Sequence, residues 1–254
     1  MTNHIENRIE SLAGTTAIVT GVSRGFGRAI AAAFTAAGAQ VVGVARGGTQ
    51  LDELRDELGE TFISVAADAA DPEVAERLLN EHRPHTLVLC AGASPTMSPL
   101  QDQTWESFSQ NWNVDVAQAF NWSRLALRGA LAPGSSVVAM SSGAAVNGSP
   151  LSGGYAGAKA AVKFVADYAA IESERAGLGI RFVSVLPRLT SATDLGAKAV
   201  AAYADRQGVD VATFVNAGGP ALTAEQVGRS VLDLSVGDQK GSFLLTAAGL
   251  APIN

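Results

Sequence analysis

Seven short runs of apolar, mostly β-branched residues recur along the chain: Thr16–Thr20, Gln40–Ala45, Phe62–Ala66, Thr86–Cys90, Ser136–Ser141, Arg181–Leu186 and Ser242–Thr246. They are nearly continuous in hydrophobicity rather than alternating, as expected of strands covered on both faces. Between them lie stretches that read as helix: Gly25–Ala37, Thr49–Leu58, Pro72–His82, Trp105–Ala130, Tyr155–Ala176 and Glu225–Leu234. Strand and helix in regular alternation predict parallel strands joined by right-handed crossovers. The expected fold is therefore α/β, a Rossmann-type doubly wound parallel sheet of about seven strands with helices on both faces. No repeat, linker or shift in composition divides the chain, so residues 1–254 read as a single domain.

Composition narrows the field. A chain of 254 residues with 47% hydrophobic and 17% charged positions can bury a large core. Its net charge of −6 argues against nucleic acid or an anionic membrane as partner. Cys90 is the one cysteine, which excludes an intrachain disulfide and fits a reducing compartment. The first residues, Met1 to Glu6, are polar and lack the apolar core of a secretory leader. No run approaches the ~18 apolar residues of a membrane span. The expected location is cytoplasmic.

Candidate chemistry begins at the first strand, which runs into Thr20-Gly21-Val22-Ser23-Arg24-Gly25-Phe26-Gly27 and then a helix. Glycines there permit a tight turn and a close approach of backbone to ligand. Free amides at the helix start, with its dipole, suit a pyrophosphate. The spacing is Gly-x-x-x-Gly-x-Gly, not Gly-x-Gly-x-x-Gly, and the plain alternative is an ordinary βα turn. The second strand ends at Arg46 with no acidic residue to hold a ribose 2′-hydroxyl. Arg46 and Arg24 suit a 2′-phosphate, and so NADP(H), unless both are merely solvated loop residues. Asp68 is placed either to bond an adenine or to cap a loop. Ala91 and Gly92, after Cys90, are small enough for a cofactor to lie against the backbone.

Tyr155 and Lys159 are four residues apart in a helical stretch and so share a face. A nearby cation lowers a phenol's pKa toward the range useful in acid–base catalysis. Packing plus a solvated lysine would produce the same spacing. Ser142 follows the run Val137–Met140 and would stand at the mouth of a strand, able to hold a carbonyl oxygen. The long helix from Trp105 carries Asn111, Asn113 and Asp115, and asparagine is a poor residue for mid-helix. His82 and His85 have no ligand-spaced partners, so no catalytic metal is expected.

Taken in this order, Thr20–Gly27, Cys90-Ala91-Gly92, Asn113, Ser142, Tyr155 and Lys159 resemble the short-chain dehydrogenase/reductase family over residues 11–250. Asn113 stands eight residues after Trp105, as in the family's fourth helix. The resemblance implies that Tyr155 is the proton donor or acceptor and that Ser142 positions the substrate oxygen. It implies that Lys159 binds the nicotinamide ribose and lowers the Tyr155 pKa, and that Asn113 supports a water passing protons to Lys159. Gly21, Ser23, Arg24, Phe26 and Gly27 would cradle phosphates and ribose. Arg46 resembles the NADP-preferring branch, Asp68-Ala69 the adenine contact, and Ala91, Gly92 and Pro187 the cofactor loops. Cys90 departs from the family's usual Asn, Ala158 from its Ser or Thr, and Arg188 from the Gly that normally follows Pro187.

The implied reaction is hydride transfer between NADP(H) and a ketone, aldehyde or secondary alcohol. The alternatives are an NAD-linked alcohol dehydrogenase and a non-catalytic NADPH-binding regulator. A substrate lid is expected at about 188–220, with Met97, Trp112 and Val146 as further pocket residues and a largely apolar substrate. Few charges interrupt Tyr155 to Ile171, and the family favours a homodimer or homotetramer.

Overall fold

The computed structural model describes residues 12–253, and the reading of Met1 to Glu6 lies outside them. Eight strands form one sheet: β1 (Thr16–Thr20), β2 (Gln40–Ala45), β3 (Phe62–Ala66), β4 (Thr86–Leu89), β5 (Ser136–Met140), β6 (Arg181–Pro187), β7 (Gly241–Thr246) and β8 (Gly249–Ile253). Their order is β3-β2-β1-β4-β5-β6-β7-β8. The first seven are parallel; β8 turns back antiparallel on β7. The count is thus eight rather than about seven. Pro252 disguised the last strand in sequence, yet an edge strand tolerates a missing amide donor.

The apolar runs divide between two faces because successive side chains point oppositely. Ala17 and Val19 of β1 join one core with Ile30, Phe34, Val227 and Val231. Ile18, between them, joins the other with Leu78, Leu79, Trp122 and Ala169. The helices that supply these residues are α1 (Gly25–Ala36) and α10 (Ala224–Val236) on the first face. On the second lie α3 (Pro72–His82), α5 (Ala117–Leu125) and α7 (Gly153–Arg175). The remaining helices are α2 (Gly48–Leu58), α4 (Trp105–Asn111), α6 (Ala144–Asn147), α8 (Asp194–Gln207) and α9 (Val211–Ala217).

The stretch from Trp105 to Ala130 is not one regular helix. Between α4 and α5 it widens into a π-helical turn over Trp112–Val116, and a second follows at Ala126–Ala130. Such turns recur where a helix must re-aim side chains at a functional site. The predicted lid folds as α8 and α9, held together by stacked Tyr203 and Phe214 rings 6.3 Å apart. Along α7, Phe164, Tyr168 and Ile171 are exposed. Among the described residues no helix is long and apolar enough to cross a membrane.

Candidate active site

Where β1 and β4 lie side by side, their onward connections leave in opposite directions, to β2 on one side and β5 on the other. Such a switch point opens a crevice beyond the carboxyl ends of the strands, the usual place for a ligand in this class of sheet. A cleft of about 780 Å³ occupies it, lined by the glycine turn at one end and by Ser142, Tyr155 and Lys159 at the other.

The glycine-turn end is mostly backbone. Gly21 has φ +75°, and a Cβ there would lie 2.7 Å from the Ala91 Cα. Only glycine fits that conformation at that distance. No side chain caps the start of α1, and no acidic residue occupies its first turn. Its leading amides therefore face the cleft without a competing anion. Ser23, Phe26 and Gly27 line the same wall. Arg24 and Arg46 both reach the cleft and both are exposed. Arg24 also lies 3.6 Å from Asp194 at the start of α8.

Asp68 lines the cleft too, its carboxylate accepting the Ala70 amide at 2.9 Å. The Ala69 carbonyl accepts the indole of Trp122 at 2.8 Å. Beside the strand ends, where Cys90 stands in place of the family's usual Asn, Gln118 ties β1 to the chain leaving β4. Its amide donates to the Ala91 carbonyl at 3.0 Å, and its oxygen accepts the Thr20 hydroxyl at 2.5 Å. That hydroxyl oxygen in turn accepts the amides of Cys90 and Ala91. Burial pushes the Cys90 thiol up from 9.0 to about 11, which makes it a poor nucleophile.

At the other end, α7 presents Tyr155 and Lys159 from one face, as their spacing demanded. The ammonium sits 5.7 Å from the phenol ring centroid, and the Ser142 hydroxyl lies on the same cleft wall, where it favours the phenolate. Lys159 is 6% exposed and donates to the Met140 carbonyl at 3.0 Å. Burial raises the Tyr155 pKa above 10.0; Lys159 and Ser142 pull it down, but by less. Lys159 thus lowers it as expected, but desolvation of the anionic phenolate outweighs the cation. Pro187 and Arg188 line the cleft, Arg188 exposed.

One expected member is elsewhere. Asn113 is exposed and outside the cleft lining, whereas Asp115 is 1% exposed, with Oδ2 3.1 Å from the Lys159 ammonium. Counting from Trp105 pointed to 113; the widened turn aims 115 inward. The available signal was chemical: an aspartate set between Val114 and Val116 in mid-helix. Met97 lines the cleft, but Trp112 and Val146 lie outside its lining. Of the larger lid residues Tyr203 reaches it, its hydroxyl hydrogen-bonded to Ser149. Ser94, Asn147, Ser152 and Gln207 also line it, so the surroundings are more polar than a largely apolar substrate would call for.

Comparison with known proteins follows the same outline. Residues 15–204 match the family profile described as short chain dehydrogenase. The chain is similar to L-xylulose reductase from Bos taurus, 32% identical over 163 residues, covering 63% of this chain and 66% of that protein. It is 36% identical over 123 residues to L-xylulose reductase from Mesocricetus auratus, covering 48% of this chain and 50% of the other. The matched segments thus span between half and about two-thirds of those relatives. A Brucella melitensis 3-ketoacyl-(acyl-carrier-protein) reductase, solved with NADH, superposes with a TM-score of 0.76 at 22% identity, covering 91% of this chain and 96% of that one. That likeness bears on the fold.

Proposed function

Because the chain belongs to the short-chain dehydrogenase/reductase family, a family of oxidoreductases, we propose that it transfers a hydride between NADP(H) and a ketone, aldehyde or secondary alcohol, with Tyr155 as general acid or base. The observation that carries this reading is the convergence of Tyr155, Ser142 and Lys159 at one end of a cleft whose other end is the glycine turn. The cleft suits a nicotinamide dinucleotide: the Gly21 turn leaves no room for a side chain, and the start of α1 is free of side-chain caps. Gly21, Ser23, Phe26 and Gly27 would hold the pyrophosphate side, Asp68 and Ala69 the adenine, and Ala91, Gly92 and Pro187 the remaining length. Arg24 and Arg46 suit a 2′-phosphate, and a guanidinium can meet it with two parallel hydrogen bonds.

Bound along this cleft, NADPH would supply the hydride. The chain's part is to place the carbonyl and manage its charge. The Ser142 and Tyr155 hydroxyls would both point at the substrate oxygen and stabilise the negative charge developing there. Tyr155 would then give that oxygen its proton. A phenol held above its ordinary pKa is fully protonated at neutral pH, as a proton donor must be. Asn113, exposed on the helix, takes no part in this scheme.

The similarity to L-xylulose reductases, with Ser94, Asn147 and Gln207 in the lining, directs a substrate screen first to small hydroxylated ketones. Loss of NADPH absorbance with such a panel tests the reading; no turnover with any carbonyl would leave the regulator alternative standing. An NAD-linked enzyme is the second reading, prompted by the NADH in the Brucella reductase. Separate binding constants decide it, a tighter one for NADH refuting the role given to Arg24 and Arg46. We further propose one domain with α8 and α9 as its substrate lid, a cytoplasmic location, and a homodimer or homotetramer. Exposed Phe164, Tyr168 and Ile171 support assembly, and a monomeric mass by light scattering would refute it.

A further inference from the structure

The peptide of Ala93 offers one donor and one acceptor to the helix above it, and two different side chains take them. Asp115 Oδ1 accepts the Ala93 amide at 2.9 Å, and the Asn111 side-chain amide donates to the Ala93 carbonyl at 2.7 Å. A single amide side chain at 115 has both a donor and an acceptor to offer. A carboxylate has no donor. Asn111 stands one turn earlier on the same face and supplies it, with both residues 1% exposed.

This division leaves Asp115 Oδ2 without a hydrogen bond and 3.1 Å from the Lys159 ammonium. Gly92 leaves it the space, since a Cβ there would sit 2.9 Å from that oxygen. Breaking a buried ion pair strands an uncompensated charge, so such a pair tolerates loss of one partner poorly. We propose that Asp115 is a positioning residue for the reaction: its ion pair with Lys159 fixes the ammonium beside Tyr155 and offsets the pull of that charge, adding to burial in keeping the phenol protonated, while Asn111 carries the hydrogen bond a carboxylate cannot make. This rests on the reading of Tyr155 as the acid.

The groups that act on the phenol are few. Lys159 from the same helix favours the phenolate, as does the Ser142 hydroxyl; Asp115 from the widened turn and the Cys90 thiol at the end of β4 oppose it. An ammonium alone would draw the phenol toward ionisation; paired with a carboxylate it exerts only the remnant of two opposed fields. Burial would lower the Lys159 pKa, but Asp115 first, with Tyr155 and Cys90, outweighs it and holds the ammonium protonated above its ordinary range.

The test is a pH titration of tyrosinate ultraviolet absorbance in cofactor-free protein, with Tyr155→Phe identifying the transition. In Asp115→Asn the Tyr155 transition is expected to fall by about one pH unit, the effect of removing a nearby like charge. An unmoved transition would overturn the proposal. Asn111→Ala, which keeps the carboxylate, should lower the melting temperature and leave the transition in place. A shift there equal to that of Asp115→Asn would mean distortion rather than charge, and would also overturn it. Should Asp115→Asn not fold, carbon-13 resonances of the lysine side chains in the unmodified protein decide the matter. Lys159 is expected to keep its proton above the ordinary lysine range, and titration below that range refutes the ion pair's role. None of these readouts involves turnover, so they can fail while Tyr155 remains the acid. Conversely, full activity in Tyr155→Phe would refute the acid and leave the ion pair standing.

Discussion

At the glycine-turn end of the cleft the charged side chains, Arg24, Arg46 and Asp68, are exposed, whereas at the Tyr155 end Lys159 and Asp115 are 6% and 1% exposed. Charges of the first kind are screened by salt and replaceable at modest cost. Those of the second kind must be paired, because an isolated buried charge is expensive. Exposed arginines therefore suit selection of a charged ligand from solution. A buried pair suits control of one proton. On the proposed reading, these two tasks would lie at opposite ends of a single cavity.

The comparison is broken most severely at the buried end. Tyr155→Phe keeps the ring and removes the proton, and carbonyl reduction should fall by at least ~10²–10⁴-fold with little change in melting temperature. Residual activity near that of the unmodified enzyme would show that the acid lies elsewhere. At the exposed end, Arg24→Ala with Arg46→Ala should weaken NADPH binding by roughly 10–100-fold, through lost charge-assisted hydrogen bonds. NADH binding should change much less, and added salt should shrink the difference between the two cofactors. Equal losses for both would mean that neither arginine reads a 2′-phosphate.

Backbone at the same end is sensitive in another way. Gly21→Ala would place a Cβ against the Ala91 backbone in a positive-φ conformation, at a cost of roughly 1–3 kcal/mol. A lowered denaturation midpoint together with weaker binding of both cofactors would bear this out. The smallest effect concerns pH. The folded Cys90 thiol keeps its proton up to about 11, whereas an ordinary thiol releases it from about 9. The folded state then holds more protons than the unfolded one over that interval, so this contribution is complete below pH ~9 and is lost as pH rises toward 11. The raised Tyr155 and Lys159 extend the same downward slope to higher pH. Melting curves of Cys90→Ala should be flatter with pH across that window, and an unchanged slope would clear the thiol of any share.

Much of this was legible before any coordinates. The strand from Thr16 to Thr20, the glycines after it and the spacing of Tyr155 from Lys159 are local patterns, and local sterics set their outcome. Gln118 was not legible as a brace for the strand ends, because its partners Thr20 and Ala91 are distant in sequence. The helices of the segment proposed as a lid were not legible either: their Ala-rich sequence lacks a strong periodic face, and their starts rest on single caps from Thr193 and Asp210. The balance behind the Tyr155 shift was not legible for a related reason. Spacing shows which cation is near a phenol, but not how far both are withdrawn from water.

The chain's own pattern determined a sheet with helices on both faces, a backbone-lined turn at its first strand, and a phenol and an ammonium on one helical face. Tertiary structure decided which polar residue of the long helix meets that ammonium. Asn111 and Asp115 lie one turn apart on a shared side, while Asn113, two residues from each, points away. Which side turns inward depends on how the widened turn seats against β4 and α7, and no count along the sequence contains that contact.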